Sequence, residues 1–217
     1  MIGQFKKKSG SIESDISMVS KAIVGLGNPG TEYAETRHNL GWTALDSFLR
    51  EYEIKKYFKK KPKYRYQIIS FAGQTAILVK PTAYMNRSGT AVSQVVKMCG
   101  LDAANLLVVH DEMDLEAGGA KMKFGGTSAG HKGIQSIINE LGTDRFARLK
   151  IGISRPSVDD SGADIDWVLG GIHQDERQIF DSVMKIVAGG IDRWIRHGTD
   201  KAMTWFNTES RRMRVEA

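Results

Sequence analysis

With 217 residues, 41% of them hydrophobic and 26% charged, the chain has the make-up of one well-buried globular domain, which excludes a disordered chain and a membrane protein. No apolar run approaches the roughly 18 residues needed to span a bilayer, and a single cysteine, Cys99, excludes an intrachain disulfide framework, fits a reducing cytosol and reads as a small core residue. Lys and Arg number 31 against 25 Asp and Glu, and the resulting +6 favours a polyanionic partner modestly.

Residues 1–20 are polar, contain "KKKSGS" and lack the apolar centre and cleavage pattern of a secretory signal. They read as a disordered leader or expression remnant ahead of a domain over 21–207, with a basic tail at 208–217. From Lys21 onward strand and helix patterns alternate. Strands are expected at about 21–27, 66–72, 75–80, 106–110 and 149–153. Helices are expected in "LGWTALDSFLREYEI", "GTAVSQVVKMCG", "HKGIQSIINELG" and "HQDERQIFDSVMKIVAGGIDRWIRHG", whose apolar residues recur every three or four positions. Ala72, Gly73 and Gln74 suggest a hairpin, so the sheet is expected to be mixed. The fold expected is a single-domain α/β protein, a three-layer α/β/α sandwich around a twisted, mostly parallel sheet.

The first strand runs into "VGLGNPG", whose Gly25, Gly27 and Gly30 have the G-x-G-x-x-G spacing of a dinucleotide turn. That fold also needs a helix at the third glycine and a second strand ending in an acid. Here "TEYAETRHN" follows Gly30 without an apolar stripe, and Glu51 and Glu53 lie in or beside a helical run, so the nicotinamide and flavin reading fails. The glycines read instead as room for backbone near a bulky substrate, with Pro29 and Gly30 turning the chain to present Asn28. "KFGGTSAGHKG" nearly makes a Walker A loop, but its lysine is one place late and no Ser or Thr follows to hold magnesium. Lys55 to Arg65 places seven cations in eleven residues, interleaved with tyrosines and Phe58. A solvated loop and a nucleic-acid contact both fit that stretch.

Three loops at expected strand ends are dense in working side chains: Asn28–Asn39 with His38, "PTAYMNRSG" with Asn86, and "HDEMD" with Asp111. In an α/β sheet such loops converge on the ligand. His38 suits a general base and Asp111 the carboxylate that orients it. With no nucleophile elbow present, the pair points to an activated water and direct hydrolysis. His110, Asp111, Glu112 and Asp114 could suggest a metal, but successive strand residues point in alternating directions, so no metal is expected. Lys121 and Lys123, and Arg148 and Lys150, are spaced by two and would share a face that could clamp phosphates, and the backbone N–H groups before the "HKGIQ" helix could hold another.

"VGLGNPGTEYAETRHNLGW", "KPTAYMNRSGTAV", "VVHDEMDL" and "GGTSAGHKGIQSI", in this order, resemble bacterial peptidyl-tRNA hydrolase over about residues 21–206. The resemblance implies hydrolysis of the ester between peptide and tRNA, recycling tRNA from abandoned translation, by a cofactor-free cytoplasmic monomer whose partner is the acceptor end and stem of peptidyl-tRNA. It implies His38 as base, Asp111 as its orienting acid and Asn28 beside the ester. Tyr33, Tyr84, Met85 and Asn86 would bind the substrate, and Lys121, Lys123, Arg148, Lys150 and Lys132 the tRNA. "SRPSVDDSGADIDWVLGG" stands where the family carries a mobile lid. Lys132 departs from the Asn common after the family's glycine-motif histidine, and it cannot accept a hydrogen bond. The alternative is a non-catalytic RNA-binding relative of the same fold.

Overall fold

The computed structural model describes residues 15–156 and 163–216. Seven strands form one sheet: β1 (Lys21–Gly25), β2 (Lys59–Lys60), β3 (Tyr64–Phe71), β4 (Gln74–Pro81), β5 (Leu106–Glu112), β6 (Ala120–Phe124) and β7 (Ala147–Gly152), in the order β2-β3-β4-β1-β5-β7-β6. β4, β1, β5 and β7 run parallel, and the antiparallel strands lie at the two margins. Every residue of β5 is buried, as expected where helices cover both faces of a parallel sheet.

Helices α1 (Leu40–Glu51), α5 (Arg177–His197) and α6 (Thr199–Glu216) cover one face, where Phe48, Val187, Trp194 and Phe206 meet Ile23, Leu78 and Leu149. On the other face α2 (Ser88–Met98) and α3 (Lys132–Leu141) bring Val92, Val95, Ile134 and Ile137 against Val24, Ile77 and Val108. A short helix, α4 (Ala163–Leu169), sits over the carboxyl ends of the strands. The helices that follow β1 and β4 leave to opposite faces, which opens a crevice beyond the ends of β1, β4 and β5.

The mixed three-layer fold is the one expected, with differences at the margins. β2 and β6 join the sheet, and β5 runs on to Glu112. The residues from 208, expected as a tail, continue α6, and polar residues in that helix complete a strand edge. Asn207 accepts from the Met122 N–H and donates to its carbonyl, at 2.8 and 3.0 Å, while the Ser210 hydroxyl donates to the Ala120 carbonyl. These residues satisfy the outward backbone groups of β6, which explains why the helix has a weak apolar stripe. Residues 1–14 lie outside the described residues, but Val19 is already buried and Ser20 bonds to Gln74, so the packed chain starts before Lys21. Among the described residues no helix is long and apolar enough to cross a membrane.

Candidate active site

The first wall of the crevice is the "VGLGNPG" turn, and its glycines serve the fold rather than a ligand. A Cβ on Gly27 would lie 2.8 Å from Asn39 Oδ1 and from the Trp42 ring, and one on Gly25 would collide with the Gly41 carbonyl. The room they clear admits the start of α1, which corrects the expectation of a bulky substrate there. Asn39, brought close in this way, accepts from the Asn28 N–H at 2.7 Å and donates to the Asn28 carbonyl at 3.1 Å. The Asn28 side-chain oxygen then accepts from the Met85 N–H at 2.8 Å, leaving its Nδ2 as the donor available to the cleft.

His38 lies on the 3-10 turn just ahead of α1, and its Nδ1 is 2.8 Å from Asp111 Oδ2 at the end of β5. The other Asp111 oxygen is 3.1 Å from Nε2 of His131. His131 caps α3, where its Nδ1 accepts from the Gly133 and Ile134 N–H groups at 3.1 and 3.2 Å. A ring nitrogen that accepts two amides carries no proton, so His131 is protonated on Nε2 and donates to Asp111. Asp111 in turn accepts a hydrogen bond from the Nδ1–H of His38, and the lone pair of His38 is left on Nε2. Burial raises the Asp111 carboxyl, but electrostatic attraction to, and hydrogen bonds from, the two imidazole N–H groups outweigh it and hold the group well below the usual carboxylate range.

The neighbouring His110 has its ring 4.7 Å from that of His131 and donates from Nδ1 to the Asp111 carbonyl at 2.6 Å, while its Nε2 is buried with no hydrogen-bond partner among the described residues. Burial, then the nearby His131, hold it neutral, well below the ordinary imidazole range. His38, Asp111 and His131 place their donor atoms within 4.8 Å of one another, close enough to suggest a metal. The donor chemistry does not suit one: the His131 nitrogen facing the cluster carries the proton, because the other is spent on the cap.

The crevice is a cleft of about 610 Å³ that Tyr33, Tyr84, Met85, Asn86 and Lys132 line together with Asn28, His38 and Asp111. Ile165, Val168 and Leu169 of α4 add an apolar wall. Of the segment that resembles a lid, residues 157–162 lie outside the described residues, and the rest is anchored by Arg37. That buried guanidinium donates to the Gly171 carbonyl and to Glu176, both at 2.7 Å, and lies 4.0 Å from the Trp167 ring. His131 and Arg37 are not among the residues that the sequence singles out. The first sits in the near-miss Walker loop, although a polar residue directly before an apolar helical stripe is a cap signal. Nothing local marks the second.

The basic pairs divide. Lys121 and Lys123 are exposed and face Lys150 and Arg148 across β6 and β7. Lys150 is ion-paired with Glu112, beside the cleft. Arg148 is only 1% exposed and donates to the carbonyls of Gly126 and Thr127, so it anchors a loop rather than offering a phosphate clamp. His131 also takes up the Gly133 and Ile134 amides of α3, so those two are not open to a phosphate.

The sequence profile of the family described as peptidyl-tRNA hydrolase matches residues 22–214. A peptidyl-tRNA hydrolase of Dehalococcoides mccartyi is 40% identical over 188 residues, covering 86% of this chain and 99% of its own. One from Syntrophomonas wolfei is 38% identical over 191 residues, covering 86% and 100%. The crystal structure of peptidyl-tRNA hydrolase from Acinetobacter baumannii superposes with a TM-score of 0.80 at 31% identity, over 88% of this chain and 95% of that one.

Proposed function

The chain belongs to the peptidyl-tRNA hydrolase family and is an enzyme that hydrolyses peptidyl-tRNA; we propose that it does so with a water activated by His38. Nε2 of His38 takes a proton from the water as its oxygen attacks the ester carbonyl carbon. The Nδ2 of Asn28 donates to the carbonyl oxygen as negative charge gathers on it. Collapse of the tetrahedral intermediate breaks the bond to the ribose oxygen, and His38 returns the proton to that leaving group. The products are a free peptide acid and a tRNA with its terminal hydroxyl restored. Asp111 keeps the proton on Nδ1 of His38 throughout, and His131 keeps Asp111 oriented.

The observation that carries this reading is the pair of hydrogen bonds on Asp111, 2.8 Å to His38 and 3.1 Å to His131, which together leave Nε2 of His38 basic. Tyr33, Tyr84, Met85 and Asn86 border the acyl group and the terminal nucleotide. Lys132, which is exposed at the first position of α3 and lines the cleft, would meet a phosphate near that nucleotide. Lys121, Lys123 and Lys150 continue a basic face for the stem. The enzyme acts as a cytoplasmic monomer, needs no cofactor, and recycles tRNA from abandoned translation.

His38→Ala should lower kcat by about 10²- to 10⁴-fold with little change in KM, measured as release of peptide from N-blocked aminoacyl-tRNA. Full activity in that variant would refute the mechanism.

A further inference from the structure

The lysine-rich stretch has no part in the chemistry above, yet it lies at the same end of the sheet. Tyr64 pairs with Pro81 at the carboxyl end of β4, Lys60 pairs with Arg65, and the Thr82 N–H donates to the Lys63 carbonyl at 2.8 Å. The turn between β2 and β3 therefore stands on the rim that carries the catalytic cleft, on the flank opposite β6 and β7. A shallow groove joins the two: Asn86 lines both the cleft and a depression bordered by Lys63 and Arg87.

Lys60, Lys61, Lys63, Arg65 and Arg87 are all exposed. Among the described residues, the only cation of the 55–65 stretch in an ion pair is Lys56, bonded to Asp46 on the α1 side. Among the described residues that line the groove, the carboxylate is Glu140, which accepts from the Thr90 hydroxyl at 3.2 Å. Lysines on so short an edge strand would also discourage pairing with another chain, but that role needs neither the turn at Lys61 and Lys63 nor Arg87 on a different element.

We propose that the β2–β3 turn and Arg87 form a second RNA-backbone contact surface, so that the tRNA is held on both flanks of the cleft. The occupant is a polyanion because the surface offers several solvated cations from two separate elements, which suits a run of phosphates. The inference rests on peptidyl-tRNA being the substrate.

The test compares the wild type with a K60Q/K61Q/K63Q variant on N-blocked aminoacyl-tRNA over a range of salt concentrations. The positions are exposed and outside both cores, and a K63Q/R87Q variant probes the same surface from a second element. The expected result for the triple variant is a KM raised about tenfold at low salt with kcat unchanged. Its dependence of log KM on log salt should be shallower by about 0.7 to 0.9 for each phosphate that the variant no longer neutralises. KM and salt slope equal to the wild type in both variants would overturn the proposal and leave edge protection. A change confined to substrates with acidic peptides would overturn it in favour of a peptide-binding role. Failure of the wild type to release peptide at all would instead refute the reading of the substrate.

Discussion

Asp111 has two carboxylate oxygens, and the site uses each to fix a different imidazole. In Asp111→Asn one end of the side chain becomes a donor, so His38 is pushed toward the tautomer that keeps its proton on Nε2. The expected loss in kcat is about 10²- to 10⁴-fold, with KM for peptidyl-tRNA less affected. The same residue leaves a mark on stability. The folded carboxyl is held below the unfolded one, so the folded protein binds fewer protons in acid. Its contribution is present above the ordinary Asp range of about 3.9 and is lost as the pH falls below it. Denaturant melts should therefore show the wild type losing stability on acidification more steeply than Asp111→Asn. An equal slope in both would show that the carboxyl is not held low.

At the scale of elements, Phe71 and Gln74 close the β3–β4 hairpin around Ala72 and Gly73, both with left-handed backbone at φ of 52° and 76°. Positive φ at both central residues is the twist-matched turn that favours Asn-Gly, and alanine is strained at the first position. Ala72 is exposed, so Ala72→Asn should raise stability by about 0.5 kcal/mol, read from chemical denaturation, with no change in kcat. The hairpin is legible from the glycine between two strand-like runs. The attachment of α4 is not. Arg37 follows "AET" in a polar loop, and only folding brings Gly171, Glu176 and Trp167 around it, more than 100 positions away in sequence. The result is that the residue next to His38 carries the covering helix. Alternating lysines mark β6 as extended, whereas the polar residues of α6 serve that strand's edge and dilute the apolar stripe by which a helix is recognised.

Over the whole molecule, parallel strands deliver three loops to one rim, and the cations behind the +6 charge are spread unevenly along the sequence. Which cations reach solvent decides what each one does. Lys121→Gln should raise KM in low salt and flatten its salt dependence while leaving the unfolding midpoint unchanged. Arg148→Gln should do the reverse, costing about 1 to 3 kcal/mol of stability by unpairing the Gly126 and Thr127 carbonyls. Thermal melts and kinetics on the two variants separate the roles, and a stable Arg148→Gln enzyme with a raised KM would restore Arg148 to the tRNA surface.

Periodicity and turn chemistry are local properties of the chain, and they suffice for the alternation of strands and helices, the mixed sheet, the excess of positive charge and the gathering of polar residues at three strand ends. They also bring Asn28, His38 and Asp111 forward as candidates, without assigning their protons. Those depend on His131 spending one nitrogen on a helix cap and the other on Asp111, a link formed only when strand β5 and helix α3 meet. Burial is decided the same way: alternation puts Lys121, Lys123, Arg148 and Lys150 on one face, but only the packed loop at 126–127 shows which of them still faces water.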